Sequence, residues 1–337
     1  MLSHYIACLS GFISAASTLN VAPQGSIAIV SDTSTSSSNL FELLSPSKQS
    51  ISWSNKSFTP AHPPSLPAKF SALRALGLDA DKPIFWEITP SGNVIGLQCN
   101  VRYGRRLDFR DCRDAYSYIQ RTNERVSRIA QRGSGLPQDI GLPQRALGGK
   151  GKCRIDSEII APYDTASASP KNIAEASYAL IERCAPRSGG IAINIGGDNH
   201  LAVLLQSYTS TVRCKDSDVP WSREACAMIQ GGMKADDKQR LFGDSFLDPA
   251  VEEDLPLELV SRDEKCVLKI LSNAPTDTES WYHLWEVSVA LNAICVRAGR
   301  RGTADRLGMH GNLVMEISDQ PFDSLAGVVN GTAVGRI

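Results

Sequence analysis

Two stretches place an acid or an imidazole in a glycine-rich turn: Gly196-Gly197-Asp198-Asn199-His200 and Gly308-Met309-His310-Gly311-Asn312. Asp198 beside His200 is the combination that general-base or nucleophile-activating chemistry requires. The same residue types also build tight hairpin turns, because Gly, Asn and Asp tolerate positive φ. Both stretches contain Gly and Asn, with Gly196 matching Gly308, while the histidine moves by two positions, which fits turn formation better than a fixed acid–imidazole pair. A second candidate is cationic. Arg121, Arg125, Arg128 and Arg132 recur at near-helical spacing, and a helix through them would carry a basic stripe able to bind an anionic lipid or polysaccharide. No GxSxG, HExxH, Walker or Rossmann pattern occurs, and Gly148-Gly149-Lys150-Gly151 is too short for a phosphate loop. No catalytic residue, cofactor or metal is therefore assigned.

The elements that must position these groups follow from the cysteines. Of nine, Cys8 lies in an apolar N-terminal run, leaving Cys99, Cys112, Cys153, Cys184, Cys214, Cys226, Cys266 and Cys295. Their successive steps repeat almost unchanged from the first four to the second four, the trace of a duplicated disulfide framework. Zinc is the competing reading, but neither a CxxC pair nor a His-x₃₋₅-His is present. The echo extends beyond cysteine. Gly190, Ile195, Gly196 and Leu201 match Gly302, Leu307, Gly308 and Leu313 without a gap, and Ala161-Pro162-Tyr163-Asp164-Thr165 returns as Ala274-Pro275-Thr276-Asp277-Thr278.

Periodicity then predicts helix, strand, helix, strand, strand in each copy. The opening helix runs from Cys112 through Arg132, with Cys112, Ala115, Tyr116, Ile119 and Val126 on its core face. The middle strands are Cys153–Ile160 and Cys266–Leu271. The second helices start at the Ser169-Pro170 cap and at Trp281, and end in Cys184 and Cys295. The fold class expected is α+β: two tandem disulfide-stabilised modules, residues 99–212 and 213–320, each a small antiparallel sheet covered by helices. Residues 1–17 read as a signal peptide, 18–64 as a Ser/Thr/Pro-rich flexible segment, 65–98 as a partial helix–hairpin unit and 321–337 as a C-terminal tail. Asn55 and Asn330 stand in glycosylation sequons.

The order of an Asp-Cys helix, Leu-Pro loop, Gly-Lys-Cys strand, Cys-ended helix and Gly-Gly hairpin resembles secreted cysteine-rich proteins of fungi. More loosely, it looks like the killer-toxin-like and necrosis-inducing effector family, small disulfide-bonded α/β sandwiches. The likeness covers residues 99–318, twice over, and it implies a secreted effector-like protein. The long Ser-rich lead and the duplication depart from that pattern.

The chain's net charge of −1 gives no general case for nucleic acid or membrane, and no later segment has the length and apolarity of a transmembrane helix. The charge is divided, however, with +5 over residues 99–212 and −6 over 213–320. This division fits modules that dock on each other or have solvated faces, or a basic stripe that takes an acidic ligand. The expected function is extracellular, non-catalytic binding. The alternatives are an accessory enzyme of the secretory route or of a secondary-metabolite pathway, with a pocket between the modules, and a surface protein displayed on the Ser-rich stalk.

Overall fold

The structure, a computed structural model, describes residues 78–79, 81–216 and 222–318 and the backbone of 333–336. The expected signal peptide, the Ser-rich segment, the 65–78 helix apart from Leu78, and both sequons lie outside these residues. In the first half the elements are β1 (Phe85–Ile88), β2 (Val94–Arg105), α1 (Phe109–Ser117), β3 (Ser127–Gln131), β4 (Ile140–Leu142), β5 (Gln144–Leu147), β6 (Cys153–Ile159), β7 (Thr165–Ala168), α2 (Pro170–Cys184), β8 (Ser188–Ile193) and β9 (Leu201–Ser207). In the second they are β10 (Arg213–Lys215), α3 (Arg223–Gly232), β11 (Gln239–Gly243), β12 (Glu253–Asp254), β13 (Leu257–Val260), β14 (Val267–Ser272), β15 (Thr276–Ser280), α4 (Trp281–Ile294), β16 (Arg301–Leu307), β17 (Leu313–Ser318) and β18 (Ala333–Arg336).

The strand orders of the two halves correspond. One six-stranded sheet runs β1-β2-β8-β9-β6-β5 and the other β10-β16-β17-β14-β13-β18; three-stranded sheets run β4-β3-β7 and β12-β11-β15. Five strands of each large sheet and all three of each small one therefore match in order. The expectation of a single antiparallel sheet per half is corrected: each half has two sheets, and β4 and β12 pair in parallel with β3 and β11. Two boundaries also move. The hairpin β1–β2 runs through residue 99 and joins the first sheet's edge, so it is not a separate unit, and β18, in the expected tail, pairs with β13.

The second helices start and end where the sequence places them. Ser169 Oγ accepts the Asn172 N–H at 3.1 Å with Pro170 in the first turn, and Ser280 Oγ accepts the His283 N–H at 3.2 Å. Four disulfides, Cys99–Cys184, Cys112–Cys153, Cys214–Cys295 and Cys226–Cys266, tie helices to sheets within each half. Each of the two loops of about 40 residues contributes roughly 4 kcal/mol in the chain-entropy model. The repeated glycines belong to this framework: a Cβ on Gly190 would meet Cys184 Sγ at 2.9 Å, and one on Gly302 would meet Cys295 Sγ at 3.1 Å.

Each half has its own core under its large sheet, but the cores are not independent. Leu147, at the end of β5, is fully buried in the second half's cluster against α4. α4 is apolar on more than one side, burying Leu284, Val287 and Leu291 as well as Trp285 and Val289, as expected of a helix covered by its own sheet and by a neighbour.

Candidate functional site

Charged residues seal the junction of the halves, and a cleft opens beside them. Arg145 on β5 is 3% exposed at its side chain. Its Nε donates to Asp156 Oδ1 at 2.6 Å, and its Nη1 donates to Glu286 of α4. Arg154 Nη1 reaches the same Glu286 oxygen at 2.8 Å. Trp285, 2% exposed, has two guanidinium groups close to its ring, Arg132 at 5.4 Å and Arg145 at 5.6 Å, within reach of cation–π attraction. Further along, Arg297 covers the Tyr118 ring at 3.2 Å and donates to the Leu147 carbonyl at 2.8 Å.

The cleft has a volume of about 810 Å³, within the usual size range of small-ligand sites. The first half contributes most of its wall, including Gln120, Asn123, Arg125, Asp139 and Gln144; Ala227, Gln230, Trp285 and Val289 come from the second. Polar groups predominate. Asp139 is the one carboxylate in the wall, and its Oδ2 accepts the Arg128 N–H at 2.9 Å. Trp285 Nε1 is buried without a hydrogen-bond partner.

The expected arginine stripe does not exist as a helix face, because α1 ends at Ser117 and Ser127–Gln131 instead pairs with β7. Arg121 lies over the Tyr116 ring at 5.5 Å, and Arg128 is exposed on β3. Arg125 is exposed in the preceding loop and lines the cleft. Arg132 is half-buried and structural, with Nη1 donating to the Gln230 carbonyl at 2.6 Å and Nη2 to the Pro143 carbonyl at 2.9 Å. Only Arg125 and Arg132 come together in one site.

The acid–imidazole turns are clamps. Asp198 Oδ2 accepts the Ser167 N–H at 2.6 Å and its Oδ1 the His200 N–H at 2.8 Å, while the His200 ring stacks on Tyr163 with centroids 3.6 Å apart. In the second half the clamp comes from β15. Buried Asp277 accepts N–H groups from Thr278, His310 and Asn312, and a Cβ on Gly308 would meet its Oδ2 at 2.4 Å. Gly148-Gly149-Lys150-Gly151 wraps an internal anion: Asp111 accepts the N–H groups of Lys150, Lys152 and Cys153 at 2.8, 2.7 and 2.9 Å.

Glu279 joins the second clamp to α4, accepting the Ser280 and Gly308 N–H groups and pairing with His283 Nδ1 at 2.6 Å. Burial alone would raise the Glu279 carboxyl, but the hydrogen bonds from His283 and the backbone outweigh it and hold the carboxyl below its ordinary value; the same bond raises His283 above its ordinary 6.5. A depressed acid adds stability that is lost as pH falls through its folded pKa, and a raised histidine adds stability that is lost as pH rises through its own. The pair therefore contributes fully between the ordinary carboxylate and histidine values. The melting temperature should fall as the pH is raised from 6.5 through the range in which His283 titrates, and Glu279→Gln should flatten that slope. A slope unchanged in Glu279→Gln would show that another group sets it.

No protein-family model, no curated protein and no solved structure matches this chain. Among the described residues no cluster of three or more His, Cys, Asp or Glu could hold a metal ion, and no helix is long and apolar enough to cross a membrane.

Missing from the sequence reading were Arg145, Asp156, Trp285 and Glu286. Its one available signal was the second apolar side of α4, which calls for a partner beyond its own sheet.

Proposed function

We propose that this chain is a secreted, effector-like binding protein made of two copies of one α+β module, and that it takes an anionic ligand in the cleft between them. The duplication is supported by the matched strand orders and the repeated disulfide pairs. Secretion is supported by the four disulfides, which persist in oxidising compartments, together with the apolar N-terminal run and the sequons. The observation that carries the binding reading is the cleft wall, which sets an exposed guanidinium among amides and hydroxyls at the junction of the copies. An enzyme of the secretory route would use the same cleft, but the wall's lone carboxylate, already engaged with a backbone N–H, favours holding a ligand over acid–base work.

Three of the four arginines separate the possibilities. Binding to anionic surfaces should weaken as salt rises, since exposed charges are screened. Arg125→Glu should remove most of it and Arg128→Glu little, while Arg132→Glu should destabilise the fold by breaking the junction. Equal losses from Arg125→Glu and Arg128→Glu in folded protein would refer the binding to general surface charge and overturn the cleft as the site.

A further inference from the structure

We infer that the cleft accepts a carboxylated oligosaccharide, a short run of uronate sugars; this deepens the binding reading above and depends on it. The first argument is the polar inventory. Gln120 and Gln144 are exposed in the wall, and no partner is found for either side chain among the described residues; Asn123 has its Oδ1 occupied by the Arg125 N–H at 3.0 Å, which leaves its Nδ2 donors. A carboxamide offers a donor and an acceptor side by side, the complement of neighbouring sugar hydroxyls, which donate and accept alike.

The second argument is charge. Arg132 and Arg145 are committed to carbonyl and carboxylate oxygens, whereas Arg125 stands exposed in the wall. A guanidinium matches a carboxylate through paired, charge-assisted hydrogen bonds. One such cation, in a wall of amides whose single carboxylate, Asp139, already accepts the Arg128 N–H, suits a sugar carrying one carboxylate per ring better than a bare phosphate.

The third argument is the indole. Trp285 is 98% buried within the wall, and its Nε1–H has no acceptor. A buried unpaired donor is costly; the indole N–H points out of the ring edge in the ring plane, so a hydroxyl or ring oxygen that displaces the side chains covering Nε1 would supply the missing partner. An acyl chain has no acceptor to offer there.

The test is calorimetric titration with three probes: a galacturonate hexamer, its methyl ester, and vesicles containing phosphatidylserine. The acid hexamer should bind, and the ester, with the same hydroxyls and no charge, should bind at least tenfold more weakly, the scale of one charge-assisted hydrogen bond. Arg125→Gln should reduce affinity for the acid about tenfold and leave the ester unchanged, while Gln144→Ala should weaken both. Trp285→Phe should weaken both as well, and Gln144→Ala serves if the Phe variant does not fold. Arg128→Gln is the neutral control. If the ester binds as tightly as the acid, or the vesicles bind in place of the hexamer, and Gln144→Ala still weakens that binding, the uronate assignment is wrong and the cleft remains the site. Hexamer binding that survives both Arg125→Gln and Gln144→Ala overturns both, as does the absence of binding to all three probes.

Discussion

Arg145→Met should lower the stability of the folded chain by about 3–5 kcal/mol, because it removes the cation and leaves its anions inside. Asp156, 5% exposed at its side chain, would keep only Arg154, whose Nε lies 3.2 Å from Asp156 Oδ2 without hydrogen-bond alignment. Glu286 would keep one contact, also from Arg154. Charges removed from water and then separated from their partner lose far more than an exposed pair does. A change of this size corresponds to roughly 10 °C in the melting temperature of a protein this large. The quadruple variant Arg145→Met, Arg154→Met, Asp156→Leu, Glu286→Leu should recover most of the loss, since it removes all four members of the network and leaves none of its charges buried without a partner. A single variant within about 1 kcal/mol of the wild type would show that water already reaches this junction.

The second large effect should come from Asp111. Its two oxygens accept three backbone N–H groups of the 148–153 loop, and Asp114 accepts a fourth from Gly149 at 2.7 Å. Asp111→Ala would leave three donors around a buried cysteine unpaired, each costing about 1–3 kcal/mol. The sum should be sub-additive as the loop relaxes, about 3–5 kcal/mol. Asp111→Asn should fall between, because the carboxamide accepts through one oxygen and turns an N–H₂ towards the remaining donors. Melting curves of the three proteins check the order. An Ala variant as stable as the Asn variant would mean that the loop finds other acceptors.

The same two sites show what the sequence made legible. Cysteine spacing anticipated disulfides confined to each half because a disulfide fixes its two residues and the glycine packed against them, as at Gly190 and Gly302. The helices from Pro170 and Trp281 were legible from cap residues and a steady apolar period. The small sheets were not. β4, β12 and the strands around them are two to five residues long, too short for alternation to show, and β3 and β11 find their antiparallel partners, β7 and β15, only across an intervening stretch of chain. The arginine spacing from 121 to 132 imitated a helix because residues three and four apart also recur by chance across a loop and a strand. Tertiary pairing with β7 overrode the local pattern.

The cleft was still harder to read. Its wall draws on both halves, and its amides are of types that any surface carries. Only docking turns Gln144, Arg125 and Trp285 into neighbours of one space. The charge division between the halves anticipated the contact between Arg145 and Glu286, yet it could not say which arginine would dock and which would remain exposed.

Hydrogen–deuterium exchange with the galacturonate hexamer bound tests most directly whether the junction of the halves is the ligand site. Protection should appear together in the loop 118–125, in β4–β5 and in the segments around Gln230 and Trp285, which belong to different halves and line one cleft. Protection confined to one half, or centred on the turns at Asp198 or His310, would contradict it.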